Sequence, residues 1–181
     1  MISGLFYAIL CPFVGINVMM SYCGDIASKV LPSLTSIIGA LLMLAFWVFS
    51  AISIAYVGKY GRKDMTIWGT YGIALTLYAI TFGYFMAETS PVTAQMVIFF
   101  SMIAYLFVYG MTYAPIMWMW LAEALQPTKI GYTIMLNWAG AALVMILFPL
   151  AQTAVPNQGY IFAFFGTFAV LSVPITKKFM L

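Results

Sequence analysis

Asn17 and Ser21 lie four residues apart in an otherwise apolar stretch, so on a helix they share one face. A membrane-embedded amide in that setting holds a hydrogen bond either to a ligand hydroxyl or to a neighbouring helix, and both readings stand on this stretch alone. Pro12 removes a backbone donor just upstream and Gly15 loosens packing, so the helix carrying Asn17 is expected to bend or unwind within the membrane. Farther along, Gly110, Ala114 and Trp118 repeat every four residues on one face, and Pro115 is expected to kink their helix. Glu123 follows at the end of that helix. It is placed to pair with Arg62 or Lys129, and without a close partner it is an interfacial charge worth little.

Other chemistries lack the residues they need. The chain has no histidine and two cysteines. Cys11 and Cys23 sit twelve residues apart on one expected helix. At 1.5 Å per residue that is roughly 18 Å, too far for a disulfide between them. A zinc site or a His-based catalytic group is therefore excluded, and no nucleophile stands with a base nor any carboxylates as a pair. No enzymatic activity, metal or cofactor is expected.

The elements that must position these residues follow from composition. Of the 181 residues, 65% are hydrophobic and 6% charged, with a mean hydropathy of +1.07. A soluble domain carries about 25% charged residues to cover its surface, so lipid must be the solvent for most of this chain. Windows of about 19 residues give six apolar segments, at 2–22, 34–57, 65–86, 92–121, 130–154 and 160–174, the last running a little past Pro174. Turn residues separate them: Lys29 with Pro32, the 58–64 stretch, Ser90-Pro91, Gln126-Pro127, and Pro156 to Gly159. The fold class is therefore all-α, a polytopic membrane protein with six transmembrane helices forming a single bundle over 1–181.

Six of the seven basic residues share one face if both termini lie on the same side: Lys59, Arg62, Lys63, Lys129, Lys177 and Lys178, with Lys29 opposite. That asymmetry predicts termini on the cytoplasmic or matrix-like side. The net charge of +3 comes from these scattered helix-end residues, which form no basic stripe, so no nucleic-acid partner is expected. No cleavable signal peptide is expected, because the first apolar run lacks a basic leader and a small-residue cleavage site. No Asp, Glu, Lys or Arg falls near mid-membrane, so ion coupling is not expected.

In order and at this spacing, the stretches Cys11 to Asn17 with Ser21-Tyr22, Gly58 to Lys63, and Pro115, Trp118 and Glu123 resemble the second half of a major facilitator superfamily sugar porter. Asn137-Trp138 is similar to that family's eleventh-span pair. The resemblance covers essentially the whole chain and implies half of the MFS fold, spans seven to twelve. It implies Asn17, Trp118 and Asn137 as a partial, vestigial sugar site, with Arg62, Glu123 and Lys129 as gating and loop residues. The departures are as informative. Cys11 and Pro12 replace a glutamine pair, Phe46 an expected polar residue, and Ser21 one of two tyrosines; Gly58 and Gly110 stand where acidic residues are usual.

Sugar porters rock two six-span halves around a site at their interface. Three readings follow: a transport-degenerate half acting as a structural or accessory subunit of a larger membrane complex, a working half-transporter paired with itself or with a separate N-terminal half, or a fragment. The loss of ligand-binding groups beside intact scaffold positions favours the first. That reading expects the Asn17 and Trp118 face to be filled by side chains, lipid or a neighbouring subunit, and no hexose uptake. The expected partners are the lipid bilayer and another membrane protein or second half-transporter, with a sugar as a possible ligand. The expected localisation is an integral multi-pass protein of the plasma membrane or an organelle inner membrane.

Overall fold

The computed structural model describes residues 10–30 and 37–179, which form helices and turns and no strand. A helical turn at residues 10–13 leads into α1 (Ile16–Val30), with a break at Val14 and Gly15 between them. Gly15 takes φ +87°, open to glycine and costly for a residue with a Cβ. The break frees the Val14 carbonyl, which a continuous helix would have paired with an amide four residues on. The Tyr105 hydroxyl donates to it instead, at 2.8 Å, and both residues are fully buried.

Helix α2 (Ile38–Tyr60) and α3 (Arg62–Met86) are joined through Gly61 alone, at φ +79° and ψ 147°. The expected turn over 58–64 thus narrows to one glycine. Nothing in Gly58, Lys59, Tyr60, Arg62 or Lys63 forbids helix, and a single residue with positive φ suffices to reverse the chain. Helix α4 (Pro91–Val108) passes through one π-helical turn, Tyr109–Tyr113, into α5 (Ala114–Ala124), giving a continuous rod of 34 residues. The wide turn answers to Pro115, whose ring clashes with the carbonyl four residues back and which has no N–H. The Ala114 amide reaches the Tyr109 carbonyl, five residues back. Helices α6 (Pro127–Ala154) and α7 (Gly159–Phe179) complete the bundle.

Five of these rods are long and apolar enough to cross a membrane: α2, α3, the α4–α5 rod, α6 and α7. The upstream part of the first expected span and the break at Pro32 lie outside the described residues. About half of the described helix ends run a turn or so past the apolar segments, α2 starts at Ile38 rather than at 34, and α1 continues to Val30 rather than ending near Tyr22. Polar and charged residues can continue a helix into the headgroup layer, where hydropathy windows no longer register it.

The densest packing is of α3 against α7 and α4. Gly69 and Gly83 let α3 approach its neighbours, since a Cβ at Gly83 would lie 2.6 Å from Ile98 and one at Gly69 would collide with Thr112. Against α7, Tyr84 stacks on Phe162 at 5.4 Å and Tyr78 hydrogen-bonds Thr167 at 3.0 Å. Outward-facing positions carry Trp68, Leu75, Phe82, Ile146, Leu150 and Phe164, an apolar surface suited to lipid.

Candidate solute site

The looser side of the bundle, between α1, α2, the π turn with α5, and α6, carries an open-sided cavity of about 590 Å³. That lies within the ordinary range for small-molecule sites, about 300–1,000 Å³. Asn17 comes to its lining from α1, just past the break at Gly15; Trp118 comes from α5, one turn after Pro115; Asn137 and Trp138 come from α6. These three candidates, scattered over 121 positions of sequence, therefore share one cavity. The side chains of the described residues leave that cavity unfilled.

Their local settings differ. Asn17 is half-buried and makes no side-chain hydrogen bond among the described residues. Trp118 is exposed toward the cavity side and also unbonded. Asn137 is buried and meets the Cys11 thiol, which in turn lies 3.1 Å from the Tyr109 hydroxyl. Cys11 thus replaces the family amide with a small, weakly polar group that draws Tyr109 and Asn137 onto itself. Phe46, where the resemblance leads one to expect a polar residue, lines the cavity with its ring 6.2 Å from that of Tyr109. Gly110 permits this approach, since a Cβ there would meet the Phe46 carbonyl oxygen at 3.2 Å.

Pro12 and Ser21 turn elsewhere. Pro12 packs on α6 where Gly140 leaves room, and the Ser21 hydroxyl reaches the Met145 sulfur at 3.7 Å, so neither lines the cavity. Residues that sequence reasoning passed over do: Ser50 on α2 and Tyr109 in the π turn. Ser50 stands four residues after Phe46, on the same helix face, and that spacing was the available signal. Tyr109 is the middle of a buried ladder, stacked on Tyr105 at 6.0 Å and on Tyr113 at 5.5 Å.

At one end of the bundle Arg62 and Glu123 form an ion pair, with side chains 38% and 50% exposed. Arg62 opens α3 and Glu123 sits in the last turn of α5. Each charge is at the unfavourable end of its own helix dipole, so pairing relieves both. Lys129, in the first turn of α6, makes no ion pair among the described residues.

A family model described as "Sugar (and other) transporter" matches residues 1–181. The chain belongs to that family. Among curated proteins it is 29% identical over 191 residues to the probable metabolite transport protein CsbC of Bacillus subtilis, covering 98% of this chain and 41% of CsbC. It is 25% identical over 193 residues to the D-xylose-proton symporter of Escherichia coli, covering 99% and 38%. The chain thus spans about two-fifths of the length of these relatives. In fold it is similar to the MFS proton:xylose symporter XylE bound to 6-bromo-6-deoxy-D-glucose, with a TM-score of 0.85 at 21% identity over 98% of this chain and 39% of that one. A chain of this length on that scaffold is half of an MFS fold, and an integral multi-pass membrane protein.

Proposed function

We propose that this sugar-transporter-family chain supplies one half of a carrier for a neutral hydroxylated solute, binding it on its own cavity and moving it once its open face meets a second half. The observation that carries this reading is the shared cavity of Asn17, Trp118 and Asn137, which the side chains of the described residues leave open. No Asp, Glu, Lys or Arg is among the lining residues. The described lining of this half therefore offers a solute neutral hydrogen-bonding groups. The Arg62–Glu123 pair ties α3 to α5 within this half.

The accessory-subunit reading is supported by the resemblance, under which Cys11 and Phe46 stand where polar groups are expected, and by the engagement of Asn137 and Tyr109 by Cys11. Equilibrium binding separates the two. The purified chain in lipid nanodiscs should bind D-sugars saturably and in preference to their L-enantiomers, with Asn17→Ala and Trp118→Ala each weakening binding. Absence of saturable, stereoselective binding would overturn the carrier reading and leave the accessory subunit.

A further inference from the structure

Tryptophan in membrane helices ordinarily sits at the two interfaces, where its indole N–H reaches headgroups and water. Trp68 follows that habit, six residues into α3 and about 9 Å along it. Trp47 and Trp138 do not. Trp47 lies thirteen residues before the end of α2 at Tyr60, and Trp138 eleven after the start of α6 at Pro127. The Arg62–Glu123 pair holds those two helix ends on one side of the bundle, so the tryptophans stand about 20 Å and 16 Å in from that side. They are 70% and 62% exposed and make no hydrogen bond among the described residues. An indole only donates, and lipid tails have nothing to accept with. The two mark, at one depth, the rims of a face that suits a cover other than lipid.

That face surrounds the open-sided cavity. Helices α2 and α6 flank it, each packed on both α1 and α5. Only 22% of the most apolar stretch of each is buried, against 50% in α3 and α7. The cavity lining carries no Asp, Glu, Lys or Arg, so an identical face can meet it without opposing like charges. The Asn17 amide, also unbonded, both donates and accepts, so two copies of it are complementary. At about 250 Å² for a whole tryptophan, Trp47, Trp138 and Trp118 together offer on the order of 400 Å² per copy. Two copies thus supply, from these indoles alone, about half of the roughly 1,200–2,000 Å² that a stable interface buries.

Geometry favours the same occupant. Six of the seven basic residues lie toward one side of the membrane, so two copies of this chain enter the bilayer the same way up. A two-fold axis relating them must then run along the membrane normal. Through the cavity mouth, that axis carries α2 of one copy onto α6 of the other, and Trp47 can meet the partner's Trp138 only if both stand at one depth. They agree to within about 4 Å. The halves of MFS carriers are themselves parallel repeats about an axis of this kind, so a chain with the fold of one half has the shape that its own open face requires. Resting on the carrier reading above, we infer that the second half is another copy of this chain, with α2 of each copy on α6 of the other. One solute space then carries two sets of Asn17, Trp118 and Asn137.

The test co-expresses two differently tagged forms of the full chain in equal amounts, one with Ala51→Cys and one with Met135→Cys. Both positions are exposed, nine residues before the end of α2 and eight after the start of α6, so the pairing brings them together. A membrane-permeant bifunctional thiol reagent should link the two forms in about half of all dimers, the share that random pairing makes mixed. The unsubstituted chain, whose Cys11 and Cys23 are buried, sets the background. Leu75→Cys on the lipid-facing side of α3, put in place of Met135→Cys, should not link. Linking no stronger than with Leu75→Cys, while the natural chain binds a D-sugar and Asn17→Ala weakens that binding, would overturn the second copy and spare the carrier reading. Strong linking without any sugar binding would overturn the carrier reading and leave the pairing as the cover of this face.

Discussion

Replacing Tyr105 by Phe removes a single oxygen and keeps the ring that stacks on Tyr109. The oxygen closes the break in the first helix, donating to the Val14 carbonyl at 2.8 Å with both residues fully buried. In lipid an average side-chain hydrogen bond contributes only about 0.6 kcal/mol and rarely more than about 1.7, since the unfolded chain finds other partners within the membrane. Here the acceptor is a backbone carbonyl that the break has already stripped of its helical partner, so the loss should fall near the upper end, about 1.5 kcal/mol. For a chain of this size that lowers the melting temperature by about 3–6 °C. Tyr78→Phe is the internal comparison. Its hydroxyl also makes a hydrogen bond, to Thr167 at 3.0 Å, but the tyrosine is 40% exposed and Thr167 also donates to the Ala163 carbonyl. That change should cost less than about 0.5 kcal/mol. Both variants would be unfolded by heat or by denaturing detergent in the same micelles, followed by tryptophan fluorescence and far-UV circular dichroism. A Tyr105→Phe variant no less stable than Tyr78→Phe would refute the claim that the tyrosine satisfies the broken helix.

Two further outcomes are expected. Gly15→Ala should destabilise by about 1–2 kcal/mol from backbone strain at φ +87°, because its new Cβ would meet Phe165 at an ordinary 3.4 Å; a neutral result in the same unfolding assay would contradict that origin. Glu123→Gln should cost only about 0.2–1 kcal/mol, since the pair with Arg62 is half exposed. The cost should shrink as salt is added, and a salt-independent loss would mean that Glu123 acts through something other than this pair.

The sequence by itself determined the solvent of this protein and the course of its chain. Six percent charged residues cannot cover a water-facing surface, and lipid leaves a backbone like this one little choice but helix. Resemblance to the family's motifs singled out Asn17, Trp118 and Asn137, and the fold brings all three to one cavity. Pro12, Gly15 and Pro115 announced irregular backbone, since proline and glycine act locally on the chain that carries them. The form of that irregularity belonged to the tertiary structure: a break sealed by Tyr105 in one helix, a π turn in another. So did the division of the cavity's polar groups, with Cys11 drawing in Tyr109 and Asn137 while Ser50 stays unpaired. Four-residue spacing says which side chains share a face, but in a uniformly apolar bundle every face looks alike. Which helix each face meets is set by close packing among all of them at once, where glycines such as Gly110 and Gly140 decide how near two backbones come.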